Sequence, residues 1–210
     1  MNCPLCNTTG IQIFYADEKH IFYHCETCDA YVRDTQTYLS ATQEKKRYLL
    51  HQNDIHDEGY RHFVSPITYN IQKDFDPKNS IGLDFGAGTG PVTTQILLEK
   101  GYSVNLYDPF FHPDTAVLQR RYDFIICCET MEHFFRPDKE FALLKSLLNP
   151  GGKLYCMTDV YRNQLAFSDW YYKNDPTHVF IYTEKTLEFI KNEFGFKNLF
   201  IQNRLIVFEN

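Results

Sequence analysis

Three alternating glycines, Gly86, Gly88 and Gly90, follow the apolar run Ile81-Gly82-Leu83-Asp84-Phe85 and precede Pro91. Glycine tolerates positive φ and carries no Cβ, so such a loop can bring its backbone N–H groups close against a ligand. Pro91 suits the first turn of a helix, where a missing N–H leaves nothing unsatisfied and φ is preset. The pattern predicts a helix over residues 91–100, with its orphan N–H groups and positive dipole end facing whatever lies over the loop. An anion or carboxylate fits that position. The dinucleotide signature is Gly-x-Gly-x-x-Gly, and here the third glycine comes one residue early.

The elements needed to hold this loop follow in order. Gly101 stops the helix, and residues 102–107 read as a second strand ending in Asp108. A carboxylate there can take both hydroxyls of a ribose, while its plainer role is a turn before Pro109. Residues 122–129 form a continuous apolar run of the kind buried on both faces of a parallel sheet. Thr130-Met131-Glu132-His133 comes next, then a helix with Phe141, Leu144 and Leu148 on one stripe, then Pro150-Gly151-Gly152 and a strand over 153–159. The tail reads as a helix from Thr183 through Leu187, Ile190 and Phe194, a stop at Gly195, and two strands near 196–202 and 204–208.

The Asp-Phe-Gly-Ala-Gly-Thr-Gly run, the acidic-His segment after the fourth strand, the Pro-Gly-Gly turn and the closing hairpin resemble the class I S-adenosylmethionine-dependent methyltransferases over about residues 80–210. The resemblance implies an α/β fold: a seven-stranded, mostly parallel, doubly wound Rossmann-like sheet with an antiparallel terminal hairpin. It implies S-adenosyl-L-methionine as cofactor, held by Asp84, Gly86, Ala87, Gly88 and Gly90, by Asp108, Pro109 and Phe110, and by Glu129 and Thr130. Strand three is the departure. Only about 14 residues, including Pro109 and Pro113, separate Asp108 from the fourth strand, and a crossover with its helix needs at least ~10–12. The adenine-binding acid that the family often carries after strand three has no counterpart here.

Methyl transfer from a sulfonium disperses charge, so the protein's main tasks are alignment and exclusion of water. A base matters when the nucleophile must lose a proton. His133, at the carboxyl edge of the sheet, and His178 are the candidates. Asp175, three residues before His178, could orient its imidazole, although Asp175-Pro176 also reads as an ordinary turn. Residues 170–179, with the only tryptophan among tyrosines, are expected to form a substrate lid. Residues 35–79 read as a helical cap region, in which Tyr48 and His51 lie one turn apart and either touch the cofactor or pack an interface.

A second constellation opens the chain. Cys3-Pro4-Leu5-Cys6 and Cys25-Glu26-Thr27-Cys28 are separated by 18 residues, the spacing of a four-thiolate zinc ribbon over residues 1–34. Four thiolates close the shell of a tetrahedral Zn²⁺, so the metal is expected to be structural rather than catalytic. His24 could replace a thiolate, but a solvent-facing imidazole is the expectation. Residues 80–210 then make up the cofactor-binding domain. The lack of a basic-then-apolar start and of any 18-residue apolar run, with three further cysteines on buried strands, points to a cytoplasmic protein without a membrane span. A formal charge of −6 argues against a broad hold on nucleic-acid phosphates. The expected acceptor is therefore a small molecule. RNA methylation, or a non-catalytic adaptor that binds S-adenosylmethionine, stand as the alternatives.

Overall fold

The protein is described by a computed structural model covering residues 1–50, 54–162 and 166–210. Two sheets organise it. The larger has six strands in the order β5 (Ser103–Tyr107), β4 (Ile81–Phe85), β6 (Tyr122–Cys128), β7 (Leu148–Met157), β10 (Leu205–Glu209) and β9 (Asn198–Gln202). β5, β4, β6 and β7 run parallel, and β10 is antiparallel to both of its neighbours. Successive residues of β6 supply both faces, as a strand's two-residue period requires. Phe124 and Ile126 pack with Ile67 and Ile71 of α2 (Glu58–Asp74) and Leu97 of α3 (Val92–Glu99). Ile125 and Cys127 face the other way, with Phe141 and Leu144 of α4 (Pro137–Ser146) and Leu187 and Ile190 of α5 (Glu184–Glu193).

The expected seven strands are corrected to six. Between β5 and β6 the chain makes an isolated bridge, Asp108 to His112, and a 3₁₀ turn at Thr115–Gln119. With Pro109 and Pro113 unable to donate to a ladder, and so few residues available, this connection returns to the sheet without adding an edge strand.

The smaller sheet is antiparallel: β1 (Gln12–Ala16), β2 (Ile21–His24), β3 (Tyr31–Arg33) and, from far along the chain, the two-residue β8 (Phe180–Ile181). Cys3, Leu5, Cys25, Cys28 and Val32 join Leu83, Tyr122 and Leu154 of the main sheet in one apolar cluster. The short helix α1 (Ala41–Tyr48) connects onward to α2. Among the described residues no helix is long and apolar enough to cross a membrane.

Candidate active site

The carboxyl ends of β4, β5, β6 and β7 share one edge of the sheet, and the loops leaving it enclose a cavity of about 910 Å³. Its floor is the glycine loop. Gly86 (φ +86°) and Gly88 (φ +61°) occupy the left-handed region, whereas Gly90 does not. A Cβ on Gly86 would stand 2.3 Å from Thr130 Cγ2, so two separate constraints select glycine there. Pro91 caps α3, which begins one residue later than the pattern predicts.

Asp84 is 3% exposed and accepts a hydrogen bond from Thr94 Oγ1 at 2.6 Å, which ties β4 to α3. Burial pushes its carboxyl up to about 6, with the nearby Asp108 charge adding to the effect. Asp108 Oδ2 accepts from Gly88 N (3.1 Å), and its Oδ1 accepts from Phe110 N (2.8 Å) and Phe111 N (3.0 Å). The turn role and the pocket role therefore coincide in one residue.

The opposite wall is built by the segment after β6 and by residues 170–179. His133 Nδ1 lies 2.9 Å from Thr177 O, and His178 Nδ1 lies 2.8 Å from Tyr172 O. A carbonyl only accepts, so each Nδ1 carries the proton and each Nε2 is left as an acceptor. Burial lowers both imidazoles, His178 to about 3. The two rings lie 5.0 Å apart by centroid, with Tyr48 at 5.4 Å from His133. Glu132, 1% exposed, accepts from Tyr172 OH, and burial pushes its carboxyl up to about 7. Glu129 pairs with Arg204 and is likewise pushed up to about 7 by burial and by the Glu132 charge.

All the expected cofactor and catalytic residues within the described chain line this cavity: Tyr48, Asp84, Gly86, Ala87, Gly88, Gly90, Asp108, Pro109, Phe110, Glu129, Thr130, His133, Asp175 and His178. His51 lies outside the described residues. The expected pairing of Asp175 with the His178 ring is corrected. The Asp175 carboxylate accepts from Arg47 Nη2 (2.7 Å) and Thr177 Oγ1 (2.6 Å), while the imidazole is held by a backbone carbonyl. Arg47 thus bonds across from α1 to the 170–179 segment. Arg204, Glu132 and Tyr172 line the cavity without having been singled out as site residues. Arg204 occupies a two-residue hairpin turn, and the pairing of Leu205 with Met157, and of Met157 with Cys128, carries it to the segment that starts at Glu129.

At the other end of the chain, Cys3 Sγ lies 3.5 Å from Cys28 Sγ and Cys6 Sγ lies 3.4 Å from Cys25 Sγ. All four sulfurs fall within 4.8 Å of one another. Zn–S bonds of ~2.3 Å in a tetrahedron put sulfurs ~3.8 Å apart, so the four thiols fit such an ion. His24 turns instead to Asp29 (Nε2 to Oδ1, 2.9 Å) and stacks on Tyr31.

A glycine loop under the carboxyl edge of a doubly wound parallel sheet, with an acid at the tip of the neighbouring strand, defines a nucleotide-type cofactor site of the Rossmann-like class. The profile of the family described as methyltransferase domain matches residues 25–200, and the chain belongs to that family. The fold is similar to that of the Burkholderia thailandensis 1,6-didemethyltoxoflavin-N1-methyltransferase with bound 1,6-didemethyltoxoflavin and S-adenosylhomocysteine. The TM-score is 0.53 at 16% identity, over 95% of this chain and 99% of that one. It is also similar to human N-acetylserotonin methyltransferase in complex with S-adenosylmethionine, with TM-score 0.51 and 12% identity over 72% of this chain and 53% of that one. No curated protein matches the chain.

Proposed function

We propose that this methyltransferase acts on a small-molecule acceptor held between the glycine loop and the wall formed by Tyr48, His133 and His178. The observation that carries the reading is convergence. A single cavity of about 910 Å³ is lined at once by the glycine loop, Asp108, helix α1, the two imidazoles and the aromatic lid. That volume is in the range that engulfs small ligands. The bound sulfonium supplies an activated methyl group.

The chain's own residues have separable roles in this reading. Asp84, Gly86, Ala87, Gly88 and Gly90 cradle the amino-acid end of the cofactor; Asp108 takes the ribose; Pro109 and Phe110 flank the base; Glu129 and Thr130 close the far side. His133 and His178 face the acceptor's polar group, and Asp175 positions the lid through Arg47 and Thr177. Tyr171, Tyr172, Phe134 and Phe135 exclude water from the reacting centre. Cys3, Cys6, Cys25 and Cys28 hold a structural zinc ion, the assignment their donor chemistry and sulfur spacing support. The small-molecule choice is supported by the bound ligand of the Burkholderia relative and by the net charge of −6.

The test is product formation. The full chain, given S-adenosylmethionine and the low-molecular-weight fraction of a cell extract, is expected to release S-adenosylhomocysteine. Turnover that appears only with the macromolecular fraction and disappears after RNase treatment overturns the small-molecule reading.

A further inference from the structure

We infer that Glu132, His133 and His178 form a binding site for a first-row divalent cation in the wall of the acceptor cavity, an inference that deepens the reading of that cavity given above. A nitrogen of each imidazole and a carboxylate oxygen of Glu132 lie within 4.8 Å of one another. That spread is compact enough for one ion to reach all three with bonds of ~2.0–2.2 Å after small side-chain adjustments.

Three features distinguish this cluster from a chance meeting of polar groups. First, both rings are fixed by main-chain carbonyls. Their Nδ1 atoms donate to the carbonyls of Thr177 and Tyr172, the outer-shell arrangement that fixes the tautomer and leaves Nε2 free to coordinate. Second, Glu132 is buried to 99% by its 1% exposure and is only half-satisfied. Oε1 accepts from Tyr172, while Oε2 has no hydrogen-bond partner among the described residues. A buried carboxylate oxygen without a partner is costly, and a cation removes that cost directly. Third, the nearby cation is already engaged: Arg204 is taken by Glu129, whose own Oε1 also has no partner among the described residues. Arg204 Nε is also buried without a partner among the described residues, yet it makes no hydrogen bond to either free carboxylate oxygen.

The backbone that carries the three side chains is also cross-braced. Val179 N donates to Glu132 O (2.9 Å), and Tyr182 OH donates to Met131 O (2.8 Å), so the 131–133 turn and the 177–182 segment are held as one unit. Two imidazoles and one carboxylate suit Mn²⁺, Fe²⁺, Co²⁺ or Zn²⁺, whereas Mg²⁺ and Ca²⁺ prefer oxygen ligands alone. Three protein ligands leave positions open, and all three residues line the cavity. An acceptor oxygen can fill such a position, where the ion lowers the pKa of a bound hydroxyl. The acceptor class this selects is an oxygen nucleophile, such as an enol, a phenol or one hydroxyl of a vicinal pair.

Mn²⁺ is the probe, because it competes poorly with zinc for thiolates. The full chain, with its zinc content counted, is titrated with Mn²⁺ and free Mn²⁺ is read by electron paramagnetic resonance. One Mn²⁺ per chain is expected, bound at least ~10-fold more weakly in Glu132→Gln, His133→Ala and His178→Ala, each of which should keep its zinc. Pulsed resonance on the unaltered protein should show imidazole ¹⁴N couplings to the bound ion, a readout that needs no variant. Absence of a bound equivalent, absence of nitrogen coupling, or equal affinity in all three folded variants overturns the site. Calorimetry with S-adenosylhomocysteine on the same samples separates the two readings. Cofactor binding without Mn²⁺ removes only the cation site, and Mn²⁺ binding without cofactor upholds the cation site and removes the cofactor reading.

Discussion

Replacing Arg33 by methionine tests whether the small N-terminal sheet holds the active-site wall in place. Arg33 is 3% exposed, and its guanidinium donates to three carbonyls of the lid: Lys173 (2.5 Å), Asp175 (2.9 Å) and His178 (3.0 Å). Methionine keeps most of the length of the apolar stem and removes every donor, together with the guanidinium that lies 4.8 Å over the Phe22 ring. A bond from a charged donor contributes ~1.5–3 kcal/mol, and the three share one cation and are not additive, so we set their joint loss at ~2–4 kcal/mol. The β3–β8 pairing survives the change, so the loss falls on local opening of residues 171–178 rather than on the main sheet. At ~1.4 kcal/mol per decade, amide exchange in that segment should accelerate roughly 30- to 700-fold, with β4 to β7 unchanged. Hydrogen-exchange mass spectrometry reads this without knowledge of the acceptor. Arg33→Lys, which keeps the charge but not the fork, should fall between the two. Unchanged exchange at 171–178, or equal acceleration across the main sheet, refutes the reasoning.

The remaining predictions concern the loop, the ribbon and pH. Gly86→Ala should destabilise the fold by at least ~2 kcal/mol more than Gly88→Ala, because only Gly86 combines positive φ with a Cβ clash, and Gly88 has open space around it; equal shifts in Tm in calorimetry would sink this. On the proposed zinc assignment, a strong chelator should speed exchange in residues 1–34 and, through Arg33 and the Thr183 bond to Asp29, in 173–183 while β4 to β7 stay protected; protection lost uniformly, or nowhere, counts against it. Asp84 titrates near 6 when folded and near 3.9 unfolded, so the folded state binds more protons between those values and this group's contribution to stability falls by about 2 kcal/mol as pH rises from 4 to 7. Denaturation of Asp84→Asn alongside the unaltered protein checks this, with a pH-independent difference between them as the contrary result.

How much of this was legible in the chain depends on the distance over which each feature is encoded. The glycine loop, Asp108 and the cysteine knuckles are local patterns, each determined by residues within a few positions, and they line the cavity or cluster as expected. The family resemblance implied a seventh strand that the short 109–121 connection does not supply. Arg33 and Arg204 carried no local signal. Arg33 meets His178 across 145 positions and Arg204 meets Glu129 across 75, so their roles exist only once β3 pairs with β8 and the terminal hairpin docks. The orientation of His178 was hidden for a different reason. A sequence offers side-chain partners such as Asp175, whereas the imidazole is held by the main-chain carbonyl of Tyr172.

These long-range contacts explain why the N-terminal segment is more than a tethered module. An appended ribbon would complete its own sheet and present a separate core, yet here β3 recruits β8, just after residues 170–179, and the knuckle residues share one apolar cluster with the main sheet. The element that follows the second knuckle is joined at two points: Thr183 Oγ1 caps α5 while donating to Asp29, and Arg33 grips the carbonyls just before β8. His178 and the Glu132–Val179 backbone bond lie between those two points. The wall of the cavity at residues 132–133 and 172–179 is therefore tied to the cysteine-bearing segment, because the strand that follows residues 170–179 also completes the small sheet. Metal occupancy at the thiols would set the rigidity of a site built from residues more than a hundred positions away, with no direct contact between the ion and the acceptor.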